Sequence, residues 1–328
     1  MVGLLDPLDV KGVTLRNRIV LPPMNTGLAT RDGAVTERLV EHYVRRSKAL
    51  GLLIVEHSYV TLDGKLSERQ LGIHEDRLVP GLEKLSNRIH TAGVMAVIQI
   101  NHAGREAIRT DGGEPVAPSP TENARDLTIE EVGFLAESFA AAAQRAVKSG
   151  FDGVEIHGAH GFLLNQFYSP LANQRQDGYG GSPQNRMRFP LEVVEKVKRG
   201  IGRKLLLYRL GSVDFDPAGV HIKDSQSFAK RLEEAGVDII DVSGGLCGDR
   251  PISAQRRSGP DRQGYFIPQA QRIKNAVKIP VIGVGGIREP RYADRVIRAG
   301  RVDLVAVGRE LLRDPDWAAK AVKLLSGG

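Results

Sequence analysis

One cysteine, Cys247, occurs in 328 residues. That excludes an intrachain disulfide framework and a cysteine-ligated iron–sulfur cluster. No apolar run approaches the ~18 residues of a membrane span. The start, Met-Val-Gly-Leu-Leu-Asp6-Pro7, has no basic segment leading into an apolar core. No secretory leader is therefore expected, and a cytoplasmic location follows by default. A GxGxxG fingerprint after the first strand is missing too, and with it the signature of a separate dinucleotide domain. The net charge is +7, from 46 basic and 39 acidic side chains. These charges are spread along the chain, which predicts a solvated surface and no nucleic-acid partner.

What is present is a chain 41% hydrophobic and 26% charged, the composition of a folded globular protein. Eight short apolar runs recur: 18–23, 52–56, 94–100, 154–157, 204–210, 238–243, 280–284 and 303–307. Continuous apolar runs suit strands covered on both faces, as in a parallel sheet. Amphipathic segments separate them, at 36–50, 81–92, 128–150, 182–200, 223–236, 268–277 and 290–300. Thr128 with Glu131 forms a capping box, and Ser182-Pro183 places a cap before a first-turn proline. Gly93, Gly150, Gly236 and Gly300 stand as helix stops. An α/β repeat with eight strands predicts a single (β/α)8 TIM barrel over residues 1–328. Excursions are expected near 104–126 and 161–181, with a loop at 244–267 over the barrel mouth. An open doubly wound sheet is the alternative.

A barrel of this kind carries its site at the carboxyl ends of the strands. Those ends hold Pro23, Met24 and Asn25; Glu56 and His57; Gln99, Asn101 and His102; His157 and His160; Arg209; Ser243, Gly244 and Gly245; Gly285 and Gly286; Gly308 and Arg309. Glycines at the last two strand ends expose backbone N–H groups suited to a phosphate, with Arg309 as charge partner. His157-Gly-Ala-His160 puts two imidazoles where a buried strand opens into a loop, a binding surface for a polar or anionic group. The pair could also bind zinc, but a catalytic zinc needs a third ligand. His57, Glu56 and His102 are the candidates for it; no metal is the expectation.

Four motifs go further: Gln99-Ile-Asn-His-Ala-Gly-Arg105, Pro115-Val-Ala-Pro-Ser119, Val154-Glu-Ile-His-Gly-Ala-His-Gly161 and Tyr179-Gly-Gly-Ser-Pro-Gln-Asn-Arg186. In this order the chain resembles the Old Yellow Enzyme family, and most closely its thermophilic-like branch. The resemblance runs from Leu5-Asp-Pro-Leu8 to Gly308-Arg-Glu-Leu-Leu-Arg-Asp-Pro315. It implies tightly bound FMN over the barrel mouth, reduced by transiently bound NADPH or NADH, and a small electron-poor alkene or enone as substrate. By the same resemblance Pro23, Met24 and Asn25 lie beside the isoalloxazine, with His57, Ser243 and Gly244 also at the cofactor. Gln99 bonds the pyrimidine edge, and Arg209 faces the N1–C2=O edge. Gly285, Gly286, Gly308 and Arg309 hold the phosphate. His157 and His160 bind the activating oxygen of the substrate. Gly27, Phe162 and Tyr265 line the substrate side. A homo-oligomer, dimer or tetramer, is implied.

The chain also departs from that pattern. Phe162 stands where most active ene reductases of the family carry the tyrosine that protonates the α-carbon, and a phenyl ring cannot donate a proton. Solvent could replace it, or a hydroxyl of Tyr59, Tyr168 or Tyr265, of which Tyr168 is a candidate catalytic residue. Asn25 replaces a cysteine or threonine, His57 a small residue, and Gly27 a tyrosine that closes the pocket. The chain ends at Leu324-Leu-Ser-Gly-Gly328, so the arginine that relatives receive from a neighbouring subunit's tail is expected to be lacking. Cys247 is expected to pack rather than react. The expected reaction is hydride transfer from flavin to an activated C=C bond. With Phe162 in place, a desaturating dehydrogenase or a redox-neutral isomerase is the alternative. A tRNA-reducing flavin barrel is a weaker reading, because no residues remain for a helical RNA-binding domain.

Overall fold

The computed structural model describes residues 2–109, 114–249 and 263–327. Eight parallel strands close into a barrel: β1 (Ile19–Leu21), β2 (Leu52–Tyr59), β3 (Met95–Asn101), β4 (Gly153–Gly158), β5 (Leu205–Gly211), β6 (Ile239–Ser243), β7 (Val281–Gly283) and β8 (Leu304–Ala306). Each pairs with its sequence neighbour, and β8 returns to β1 through Val305 opposite Ile19. Every residue of these eight strands is buried except Met95. That is why the sequence reads as apolar runs without alternation.

The predicted helices form the outer ring: α1 (Glu37–Arg46), α2 (Val79–His90) and α3 (Ile129–Lys148), then a short α4 (Leu163–Tyr168), then α5 (Pro183–Ile201), α6 (Ile222–Glu234), α7 (Ile267–Lys274) and α8 (Pro290–Arg298). Two more helices, α9 (Arg309–Arg313) and α10 (Trp317–Ser326), follow β8. The Thr128–Glu131 capping box forms, and Ser182 accepts from the Asn185 N–H. Gly93, Gly150, Gly236 and Gly300 all adopt positive φ after their helices. Helix α1 stops at Arg46, short of the predicted Leu50. There the Arg16 guanidinium takes the Ser47 and Leu50 carbonyls, and Ala49 turns at φ 62° to feed β2.

A hairpin the sequence pattern did not reveal, Leu8–Val10 with Val13–Leu15, closes the amino-terminal end of the barrel. Its Val10 and Leu15 join Val20, Ile54, Val97, Leu207 and Ile282 in the inner core. The larger core lies between barrel and helices. The opposite, carboxyl end is thereby left for chemistry. Of the predicted excursions, residues 110–113 and 250–262 lie outside the described residues. The 161–181 excursion contains α4, and 104–126 contains the short pairing of Val116–Ala117 with Arg125–Asp126.

Candidate active site

Strand register assembles the site. Gln99 on β3 lies opposite Glu155 on β4, His157 on β4 opposite Arg209 on β5, and Arg209 opposite Asp241 on β6. Gln99 Nε2 donates to Glu155 Oε1 at 2.7 Å, and Arg209 Nε stands 3.5 Å from Asp241 Oδ2. Glu155 and Asp241 are fully buried. Burial, reinforced by the Asp241 charge, pushes the Glu155 carboxyl well above the usual range, which favours its neutral form. Arg209 and Asp241 face each other beneath the barrel mouth without a hydrogen bond between them, and burial raises the Asp241 carboxyl as well, against the pull of the Arg209 charge. Glu155 and Asp241 were not among the candidates read from the sequence. The signal was there: each is an acid inside an otherwise apolar strand.

His157 is buried, and its Nδ1 accepts the Ala159 N–H at 3.3 Å. That leaves Nε2 to carry the proton and donate. His160 sits at φ 61° and contacts Ser243 Oγ through Nε2 at 2.7 Å. Its own N–H donates to the Gly244 carbonyl. The two imidazoles pack edge to face at 5.1 Å. Phe162 packs against His157 at 4.9 Å and against His57 at 5.6 Å. Burial holds all three imidazoles below their ordinary pKa, His57 at about 4, and the Arg209 charge adds to it. They are neutral hydrogen-bond donors, not acids.

The remaining candidates divide between two ends of the mouth. Pro23 is buried, Met24 half-buried, and Met24 Sδ approaches Gly308 so closely that a Cβ there would sit 3.1 Å away. Gly285 and Gly286 have φ of 131° and 64°, and a Cβ on Gly285 would sit 2.7 Å from the Tyr265 nitrogen. Arg309 donates to the Tyr265 hydroxyl at 2.5 Å, which itself donates to the Asp249 carbonyl. Tyr265 thus stands at the Gly285–Arg309 end of the mouth. Asn25 is exposed; its amide donates to Ser67 Oγ and its Oδ1 accepts the Gly27 N–H. Beside Gly27 there is open space.

Tyr168 requires a correction. The α4 turn directs it to the outside of the barrel, where it packs on Phe228 of α6 at 4.6 Å. Tyr59 stacks on His74 at 4.8 Å. Neither hydroxyl reaches the histidine pair. His102 turns instead to Asp63, 3.5 Å away, and among the described residues no three His, Cys, Asp or Glu side chains are arranged to hold a metal. Cys247 is half-buried, donates to the Val213 carbonyl, and has its thiol pushed up to about 11 by burial.

FMN can be tested against these residues. Gln99 Oε1 is buried with no partner among the described residues, while the amide nitrogen is committed to Glu155. An unpaired buried acceptor is costly, and the pyrimidine N–H of a flavin would satisfy it. Arg209 supplies a fixed cation for the adjoining carbonyl edge. Gly285, where a side chain would collide with the Tyr265 backbone, Gly286 at positive φ and Arg309 could hold the phosphate. The residues fit the cofactor.

Comparison with known proteins agrees. The NADH:flavin oxidoreductase / NADH oxidase family matches residues 3–326. An NADH oxidase of Thermoanaerobacter brockii is 42% identical over 325 residues, 95% of this chain but 49% of the relative, so the chain spans about half of that protein. An NADPH dehydrogenase of Geobacillus is 41% identical over 98% of this chain and 94% of its own length. The solved Old Yellow Enzyme homologue of Zymomonas mobilis superposes with a TM-score of 0.84 at 27% identity, over 99% of this chain and 93% of that one. The chain belongs to the NADH:flavin oxidoreductase / NADH oxidase family, and is an oxidoreductase that uses FMN and a reduced nicotinamide.

Proposed function

We propose that the enzyme reduces C=C bonds conjugated to a carbonyl, with NADPH or NADH as the electron source. The observation that carries this reading is the pair of neutral imidazoles beside Arg209, with His157 Nε2 left as a donor. When bound, FMN supplies hydride to the β-carbon. His157 and His160 hold the activating oxygen and stabilise the negative charge that develops on it. Arg209 offers a cation whose Asp241 partner keeps it in place. Its charge also keeps the imidazoles unprotonated, so they polarise the carbonyl without surrendering a proton to it. The α-carbon must take a proton as well. Among the described residues no phenol is seen against the pair, where Phe162 packs on His157, and solvent at the mouth is the source this reading requires.

The same phenyl ring favours a second reading, in which the enzyme desaturates or isomerises its substrate. Anaerobic reduction with NADPH or NADH, followed by 2-cyclohexenone or a maleimide, separates the two. Flavin bleaching followed by reoxidation on adding the alkene is the expected result. Bleaching with no reoxidation would move the reading to the dehydrogenase or isomerase.

A further inference from the structure

Strand β2 carries a bulge where it passes the site. Val55 pairs with Ile98 and Ser58 with Ile100, so Glu56 and His57 together oppose the single residue Gln99. A bulge re-aims the side chains it contains. Here Glu56 turns outward, accepting the Thr26 N–H at 2.7 Å, while its own backbone N–H donates to the Tyr43 hydroxyl. His57 turns inward, to within 6.0 Å of the His157 ring and 5.6 Å of Phe162.

The tautomer of His57 is fixed by Gln70, which is fully buried. Leu66 N–H donates to Gln70 Oε1 at 2.6 Å, so the amide nitrogen is the other end. That nitrogen donates to His57 Nδ1 at 2.7 Å and to the His57 carbonyl at 3.0 Å. Nδ1 is therefore an acceptor, and the proton is on Nε2. Nε2 has no hydrogen-bond partner among the described residues, and His57 keeps 6% of its surface exposed. A buried glutamine, a bulge and a set tautomer together place one further donor on a ring 6.0 Å from that of His157.

We propose that His57 is a specificity-determining residue whose Nε2–H donates to a second acceptor oxygen of the substrate, opposite the one held by His157 and His160. The favoured substrates are alkenes flanked by two acceptor groups, such as cyclic imides, quinones and enediones, rather than simple enones. Imidazoles 6.0 Å apart, each reaching about 3 Å to an oxygen, can hold two carbonyls of one small ring. A substrate with one carbonyl leaves the His57 donor without a protein or ligand partner, which costs binding relative to one with two.

This inference rests on the ene-reductase reading for turnover, but its binding part can be tested without turnover. Oxidised, FMN-loaded enzyme is titrated with succinimide and with cyclohexanone, following the flavin spectrum, in wild type, His57→Ala and His57→Gln. His57→Ala is expected to weaken succinimide about ten-fold while cyclohexanone changes by no more than about two-fold. His57→Gln, which retains a donor, is expected to recover part of the loss. Equal weakening of both ligands, or of neither, overturns the assignment and leaves His57 as packing. Turnover of N-methylmaleimide and 2-cyclohexenone is measured in parallel. If neither alkene reoxidises the reduced wild type, the ene-reductase reading fails, while the titration still decides what His57 reads.

Discussion

Phe162→Tyr restores a phenol at the one place where the site has rings but no acid. Phe162 is 8% exposed and packs against both the His157 and His57 rings, clustered with Ala103 and Ala107. The added hydroxyl has a donor available in His57 Nε2–H, so it is not left unpaired, and a stability change of no more than about 1 kcal/mol is expected. A positioned general acid contributes ~10²–10⁴-fold. The lower end is the fair expectation, because the ring would have been placed by packing that never held a hydroxyl.

The assay is the oxidative half-reaction. FMN-loaded enzyme is reduced anaerobically with NADPH, mixed with 2-cyclohexenone, and followed by flavin absorbance. The tyrosine variant is expected to reoxidise about 10²-fold faster, with a smaller solvent deuterium effect than wild type. A variant that keeps its thermal midpoint and cofactor but reoxidises at the wild-type rate would refute the reasoning. It would mean that α-protonation does not limit this enzyme, or that its substrates never need a side-chain acid.

Three further outcomes are expected. Gly153→Ala would place a methyl 2.5 Å from the Leu205 carbonyl on the paired strand β5. Backbone cannot step aside cheaply, so a loss of ~1–3 kcal/mol is expected by urea denaturation; an unchanged midpoint would count against the close β4–β5 approach. Burial raises the Glu56 carboxyl from 4.5 to about 7. Its stabilising contribution is therefore full below pH 4.5 and lost as pH rises through 7, about 3 kcal/mol in all. Glu56→Gln should flatten that slope, and parallel pH–stability curves would show the carboxyl is not its source. Gln99→Leu removes the unpaired Oε1, and FMN affinity measured by fluorescence of the free flavin should fall about ten-fold; an unaltered affinity would take Gln99 out of the cofactor site.

The barrel was legible because each of its eight strands is buried on both faces and so reads as an unbroken apolar run. The helix limits were legible where chemistry marks them, as at Thr128, Ser182 and Gly150. The hairpin of Leu8–Val10 and Val13–Leu15 was not, since two strands that short leave no periodicity. Residues at the strand ends could be named from the barrel argument, but not which way they turn. Tyr168 follows the histidine pair closely in sequence, yet one turn of α4 carries it to the outer layer. The bulge at Glu56 and His57 exists only as a mismatch with β3, and no reading of β2 alone contains it. Glu155 and Asp241 likewise acquire meaning only from register, which sets one beside Gln99 and the other beside Arg209.

The electrostatics of the mouth separate tasks that a single imidazole could otherwise combine. An imidazole near its ordinary pKa is both a donor and an acid, and its state drifts with pH. Here burial and the Arg209 charge hold His57, His157 and His160 in the neutral form. Asp241 stands 3.5 Å from Arg209, and burial raises the carboxyls of both Glu155 and Asp241. The result is a rigid set of donors that can bind carbonyl oxygens over a wide pH range. None of them can readily protonate carbon. The same arrangement that makes the pocket a strong reader of acceptor oxygens therefore places the demand for a proton on solvent, and gives substrates already activated by two acceptors the advantage in a site built this way.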